Sequence, residues 1–243
     1  MVQINKEIEW GWVTYGKPNQ FSSWKNQWAH KINGFYIINN KSHDSFGESG
    51  SNEYSEFSGY LEVIEKFRGN GPFILCNDTW FKTHYPPIWN CLLKNAITQM
   101  NDSSNAIYGD IRWDKEEFIE KPSPYLSSWI FLIPNKPSLE EFKETLLFTL
   151  RTLNVKELSN EYKSYVASWI SPSNKWKGWH KMAIQSSDIK RKTHSIYLEH
   201  YLNNNFNHRG IQIRSLGMFN PTWYFAVRII DRLRTRFKAW NII

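Results

Sequence analysis

The stretch Gly71-Pro72-Phe73-Ile74-Leu75-Cys76-Asn77-Asp78-Thr79-Trp80-Phe81 decides how the chain is read. Gly71 and Pro72 break whatever precedes them. Residues 73–76 form a short apolar run of β-forming residues, the mark of a buried strand. Asn77, Asp78 and Thr79 follow with no spacer. Open α/β sheets place ligand chemistry outside the carboxyl ends of their strands, and Asp78 offers the oxygen that a hard divalent cation takes. The same residues also make an ordinary strand-closing turn, because Asn and Asp side chains bond nearby backbone groups.

Upstream, residues 8–15 alternate loosely as a first strand, ended by Gly16, Lys17 and Pro18. Phe21, Trp24 and Trp28 share one face of a helix over 21–30, and Gly34 separates it from a second strand over 35–38. A wholly polar run, 39–44, and a Gly- and Ser-rich loop lead to a helix over 54–67, with Phe57, Leu61, Ile64 and Phe67 on one face. Strand–helix alternation of this kind argues for an α/β fold with parallel strands and helical crossovers.

Downstream, the pattern predicts a helix over 88–100, a strand over 106–113 holding Gly109 and Asp110, and an aromatic-rich strand over 125–133. A helix over 138–153 opens on a Ser138/Glu141 capping box. Further helices are expected over 161–170 and 193–206, and a last one runs from Pro221 to Trp240. The loops are short, so the expected organisation is one domain over 1–219 with an appended helix over 220–243.

The net charge of +7 favours anionic partners: nucleic acid, acidic lipid or phosphorylated small molecules. The 13 tryptophans suit either a large core or a site that stacks on sugars and bases. Cys76 and Cys91 are the only cysteines, too few for a disulfide framework, and no Cys/His cluster has zinc spacing. The first ten residues lack the apolar region of a signal peptide, and no apolar run reaches the roughly 20 residues of a membrane span. The expected setting is cytoplasmic.

The first half resembles the GT-A glycosyltransferases. The residues that carry the resemblance are Val13-Thr14-Tyr15, then Ile37-Ile38-Asn39-Asn40-Lys41-Ser42-His43-Asp44, then 73–79. In the large inverting family 2, the second strand typically ends Asp-Asn-Gly-Ser-x-Asp. Asn39 stands where the nucleotide-binding Asp is expected, and Asn40, Ser42 and Asp44 match. The third strand of that family ends in Asp-x-Asp; Cys76 occupies the first acidic position and Asp78 the last. The form Asn77-Asp78-Thr79, and the later 127–131, are similar to the rhamnan-synthesis group of bacterial polysaccharide glycosyltransferases. The resemblance covers roughly residues 8–210, carried by the order of its motifs.

It implies a GT-A-like, Rossmann-like mixed sheet flanked by helices, and transfer of a sugar from a nucleotide-sugar donor to a growing surface-polysaccharide acceptor, of O-antigen or capsule type. Inversion is implied as well. Thr14, Tyr15, Asn39, Asn40, Ser42, Asn77 and Asp78 would hold the donor, with His180 and Lys192 reaching its phosphates. Asp78 would carry a divalent cation, Mg or Mn. For the general base, Tyr197-Leu198-Glu199-His200-Tyr201-Leu202, followed by Gly210, resembles the family's acidic helix, so Glu199 is the expected base, with His200 and Asp110 as the other candidates.

Two other readings stay open: a GT-like domain that binds but does not turn over, favoured by Cys76 in place of an acid, and a nucleic-acid binder, favoured by charge and aromatics but opposed by the scatter of its basic residues. In the last helix, Ile230, Leu233, Phe237 and Trp240 share a face among Arg228, Arg232, Arg234, Arg236 and Lys238. This pattern predicts a basic amphipathic helix on the anionic inner surface of the cell membrane, where a lipid-linked glycan would be met.

Overall fold

A computed structural model describes residues 7–17, 21–41, 46–82, 84, 86–101, 103–170 and 186–239. The chain opens with β1 (Ile8–Thr14), α1 (Phe21–Trp28), β2 (Ile32–Asn39), β3 (Glu48–Ser49), α2 (Glu56–Ile64) and β4 (Phe73–Asn77). Next come α3 (Thr79–Lys82), α4 (Pro86–Gln99), β5 (Ala106–Arg112), β6 (Tyr125–Ile133) and α5 (Lys136–Thr152). The chain then continues through α6 (Asn160–Ile170), α7 (Ser186–His208), β7 (Gln212–Ser215), a 3-10 turn (Leu216–Phe219) and α8 (Pro221–Ala239).

One seven-stranded sheet has the order β3-β2-β1-β4-β6-β5-β7. β6 runs antiparallel to β4 and β5, and the other pairs are parallel. The carboxyl ends of β1, β2, β4 and β5 therefore share one edge. β1 lies inside the sheet and all seven of its residues are buried, because helices cover both faces. A Cβ on Gly11 would lie 2.0 Å from Val63 Cγ1, and one on Gly59 would lie 2.6 Å from Val13 Cγ1. The absence of these two side chains lets α2 lie directly on β1. With Gly59 over Val13 and Val63 over Gly11, the two elements run opposite ways, so the first turn of α2 comes over the carboxyl end of β1.

Helices α1, α3, α4 and α8 cover one face and α2, α5 and α7 the other, while α6 packs outside α7. The first face holds Trp10, Trp12, Trp24, Trp28, Trp80, Trp89 and Trp129, so these tryptophans fill a core and do not line a sugar site. Trp24 and Trp28 Nε1 both donate to Asn90 Oδ1 at 3.1 Å, which satisfies two buried indoles with one side chain of α4.

The differences from the sequence reading have local causes. Gly34 lies inside β2, with the Tyr36 hydroxyl and Glu9 carboxylate within 3 Å of where its Cβ would stand. The capping box at Ser138 is not formed. The helix starts earlier, with Pro137 in its first turn and Asn135 as N-cap accepting from Ser138 N at 2.8 Å. The Ser138 hydroxyl donates instead to Ser104 O. α7 begins seven residues before the expected 193.

Replacing Asn90 with Ala leaves two buried indole N–H groups without an acceptor. Asn90→Ala is expected to lose on the order of 2–5 kcal/mol, read as a lower urea midpoint at an unchanged slope.

Candidate functional site

The strand order reverses between β1 and β4: β2 and β3 lie on one side of β1, and β4 and the later strands on the other. In an open α/β sheet the crevice outside the carboxyl ends at such a switch point is where ligands bind. Thr14, Tyr15, Asn39, Asn40, Asn77 and Asp78 all stand at this edge, at the ends of β1, β2 and β4.

Their side chains are held by backbone. Asn39 Oδ1 accepts from Gly16 N and Lys41 N, both at 3.0 Å, which fixes the amide's orientation. Asn40 Nδ2 donates to Ser55 O at 2.9 Å. These bonds leave Asn39 Nδ2 and Asn40 Oδ1 buried with no partner. A buried polar group without a partner costs about 1–3 kcal/mol. The Thr14 hydroxyl donates to Gly16 O. The Tyr15 hydroxyl donates to Asn52 Oδ1 at 3.1 Å, and burial, with Glu56 nearby, pushes its pKa up to about 12. Asn52 and Ser55, in the loop beside it, have φ of 52° and 55°. Left-handed backbone in residues other than glycine is strain of the kind held at functional sites.

Two carboxylates converge on Ser128 at the start of β6. Glu199 Oε1 accepts from Ser128 N at 2.6 Å. Glu56 Oε1 accepts from the Ser128 hydroxyl at 3.2 Å, and both Glu56 oxygens accept from the Ser195 hydroxyl at 3.1 Å. The Tyr60 hydroxyl donates to Ser128 O at 2.6 Å. Burial raises the pKa of Glu199; the Ser128 N–H and Lys192 pull it back, and the Glu56 charge adds to the rise. A part-buried carboxylate with raised pKa is a better proton acceptor than a solvated one. Lys192, on the same helix, stands half-buried beside it. Glu56, Tyr60, Ser128 and Ser195 were missed from the sequence. The available signal was an acid, Glu56, in the first turn of a mainly apolar helix.

The other expected residues fall elsewhere. Asn77 Oδ1 accepts from Thr79 N at 3.0 Å, so this side chain closes the turn into α3. His200 is 4% exposed, its Nδ1 lies 2.8 Å from the Tyr162 hydroxyl, and it stacks edge-on against Tyr125. Burial lowers its pKa to about 3, and the ring serves as packing between α6 and β6. Asp110 has no exposed surface. Arg112 approaches it at 2.6 Å, and Arg228 Nη1 donates to both its oxygens at 3.1 and 3.0 Å. Trp129 Nε1 and the Tyr224 hydroxyl also donate to it. Burial opposes its ionisation, but Arg112 and Arg228 prevail and hold the carboxyl below the ordinary range. A carboxylate so held is a strut and not a base. Ser42 and His180 lie outside the described residues, as do Asp44 and Trp240.

At the end of β4 a cation would meet one protein carboxylate, Asp78, and would take its other ligands from a donor's phosphates. Cys76 turns into the core, where Trp10 Nε1 donates to its sulfur at 2.9 Å, and Asn77 Oδ1 is already bonded. Asp78 is left as the one carboxylate of that turn. Among the described residues no three His, Cys, Asp or Glu side chains gather as a metal-holding group.

The last helix is part of this architecture. Besides Arg228, Asp231 Oδ2 lies 2.7 Å from His84 Nδ1 and accepts from Trp89 Nε1 at 2.9 Å, while the His84 ring stacks on Trp129 with centroids 3.8 Å apart. Of the face expected to meet a membrane, Leu233 is 45% exposed, while Val227 and Asp231 pack against the domain. Among the described residues no helix is long and apolar enough to cross a membrane. Comparison with family profiles, curated proteins and solved structures finds no match for the chain.

Arg228→Met removes one of two cations from a buried carboxylate. The expected loss is on the order of 3 kcal/mol, read by urea unfolding. A variant as stable as the parent would show that Arg112 alone suffices.

Proposed function

We propose that the chain is a nucleotide-sugar-dependent glycosyltransferase of the GT-A type that extends a bacterial surface polysaccharide. The observation that carries this reading is the set of polar side chains at the carboxyl ends of β1, β2 and β4, where the strand order reverses, with Glu199 bonded to Ser128 N on the neighbouring β6. The sheet supports it: a mixed seven-stranded sheet reversed only at β6 is the scaffold that the sequence resemblance calls for.

In this reading Tyr15, Asn39 and Asn40, at the ends of β1 and β2, shape the part of the site that takes the donor's base and ribose. Glu199 takes the proton from the acceptor hydroxyl as that oxygen attacks the sugar's anomeric carbon and the bond to the diphosphate breaks. Lys192 and Arg191 on α7 meet the charge left on the diphosphate. The charge of Lys192 is felt at Glu199 and that of Arg191 at Tyr15, which supports this role. No step is routed through a metal. Inversion follows the family resemblance. Cys76 favours a second reading, a domain that binds a nucleotide sugar without turning it over.

Glu199→Gln separates the two. A general base contributes roughly 10²–10⁴-fold, so the variant is expected to lose turnover by that factor with donor affinity unchanged. Full activity in Glu199→Gln removes the base assignment. Donor binding by the parent chain without turnover, on a panel of glycan acceptors, selects the binding-domain reading.

A further inference from the structure

α8 is fastened to the domain along one side. The Tyr224 hydroxyl donates to Asp110 Oδ1 and to Ile111 O, and Arg228 to Asp110. Asp231 meets His84 and Trp89, and Arg234 Nη1 donates to His84 O at 3.1 Å. Val227, between them, is fully buried. These contacts fix the rotation of the helix about its axis and so determine what its other side presents.

That other side carries Phe225, Ile229 and Leu233 at i, i+4 and i+8, which are 69%, 42% and 45% exposed. Trp223, 48% exposed, stands at the start of the same helix. Arg232, exposed, follows Ile229 by three positions and borders the stripe. Arg236 and Lys238 continue the helix beyond it. The only acid between 221 and 239 is Asp231, and it is turned inward. Among the described side chains the outward side is thus an apolar stripe bordered by Arg232 and by no carboxylate.

We propose that the stripe Phe225–Ile229–Leu233 is a docking surface for an anionic lipid bilayer. Helices that lie in a membrane interface bury an aromatic and aliphatic side at the acyl boundary and set cations among anionic headgroups. A second copy of the chain fits the same stripe less well. A two-fold contact is self-complementary, so it would bring the cations of one helix against those of the other. The first turn of α8 lies against Ile111, near the carboxyl end of β5, at the same edge of the sheet as the β1/β4 crevice. Docking would therefore bring that edge toward the lipid surface. Only this last consequence rests on the glycosyltransferase reading.

The test is flotation of the full chain with vesicles of phosphatidylcholine alone and of phosphatidylcholine with phosphatidylglycerol. The parent is expected to float with the anionic vesicles at low salt and to be released by high salt. The triple substitution Phe225→Ser, Ile229→Ser, Leu233→Ser is expected to weaken that binding at least about tenfold, with a native circular dichroism spectrum and only a modestly lower melting temperature, because all three are partly exposed. Arg232→Glu should weaken it less and leave the fold alone. Failure of the parent to float, equal binding to both vesicle types, or undiminished binding of a folded triple variant overturns the proposal. So does a parent that sediments as a dimer, ignores vesicles and becomes monomeric in the triple variant, which would assign the stripe to a second copy. Vesicle binding by a chain that turns over no donor in solution sustains the docking surface and counts against the enzyme.

Discussion

Asp110 is ionised with no exposed surface, and the two guanidiniums of Arg112 and Arg228 make that state tolerable. An unpaired carboxylate in that position would give up its charge, since burial alone raises a carboxyl pKa. Arg112 comes from the same strand, whose register shifts between Gly109 and Ile111 at this point. Arg228 comes from α8, more than a hundred residues later. The pair therefore does what apolar contact alone does poorly: it selects one rotation of a surface helix. Asp231 repeats the device one turn further on, with His84 and Trp89. The outward stripe of α8 and the position of that helix at the crevice edge both depend on these two aspartates.

The contrast with Glu199 shows how placement assigns work to like groups. Both are buried or nearly so. Asp110 is enclosed by cations and falls below the ordinary range, whereas Glu199 has one backbone N–H and a lysine against burial and the charge of Glu56, and rises. Carboxyls driven in opposite directions by their surroundings are suited to different roles, one to holding charge and one to moving protons. That Glu56 and Glu199 meet on one residue, Ser128, links α2 and α7 to the start of β6. It also ties the close β1–α2 approach at Gly11 and Gly59 to the geometry of the rim.

Much of the scaffold was legible because it is periodic. Phe21, Trp24 and Trp28 announced α1, and 125–133 announced β6 to the residue. β3 and β7, of two and four residues, are too short to carry a pattern. The site was legible only in part. The ends of β1, β2 and β4 read as a ligand edge, but both readings of the 77–79 turn hold some truth, since Asn77 closes the turn while Asp78 remains at the edge. Glu56 was passed over, while Asp110 looked like a candidate base and His200 like a second one. What decides their roles are partners far away in sequence: Ser195, Arg228 and Tyr162. The tail's pattern did not show which of its sides would dock: the Asp110–Arg228 pair and the hydrogen bonds of Asp231 turn Val227 inward and leave Leu233 half exposed.

The central claim, a nucleotide-sugar site at the β1/β4 edge, is tested most directly by thermal unfolding of the full chain against a panel of nucleoside diphosphates, because a ligand that binds the native state raises its apparent stability. The account predicts that at least one diphosphate raises the melting temperature in a saturable way and that Tyr15→Ala, with its parent fold intact, abolishes the rise. A panel with no effect on the parent chain, or a rise that survives unchanged in Tyr15→Ala, would contradict it.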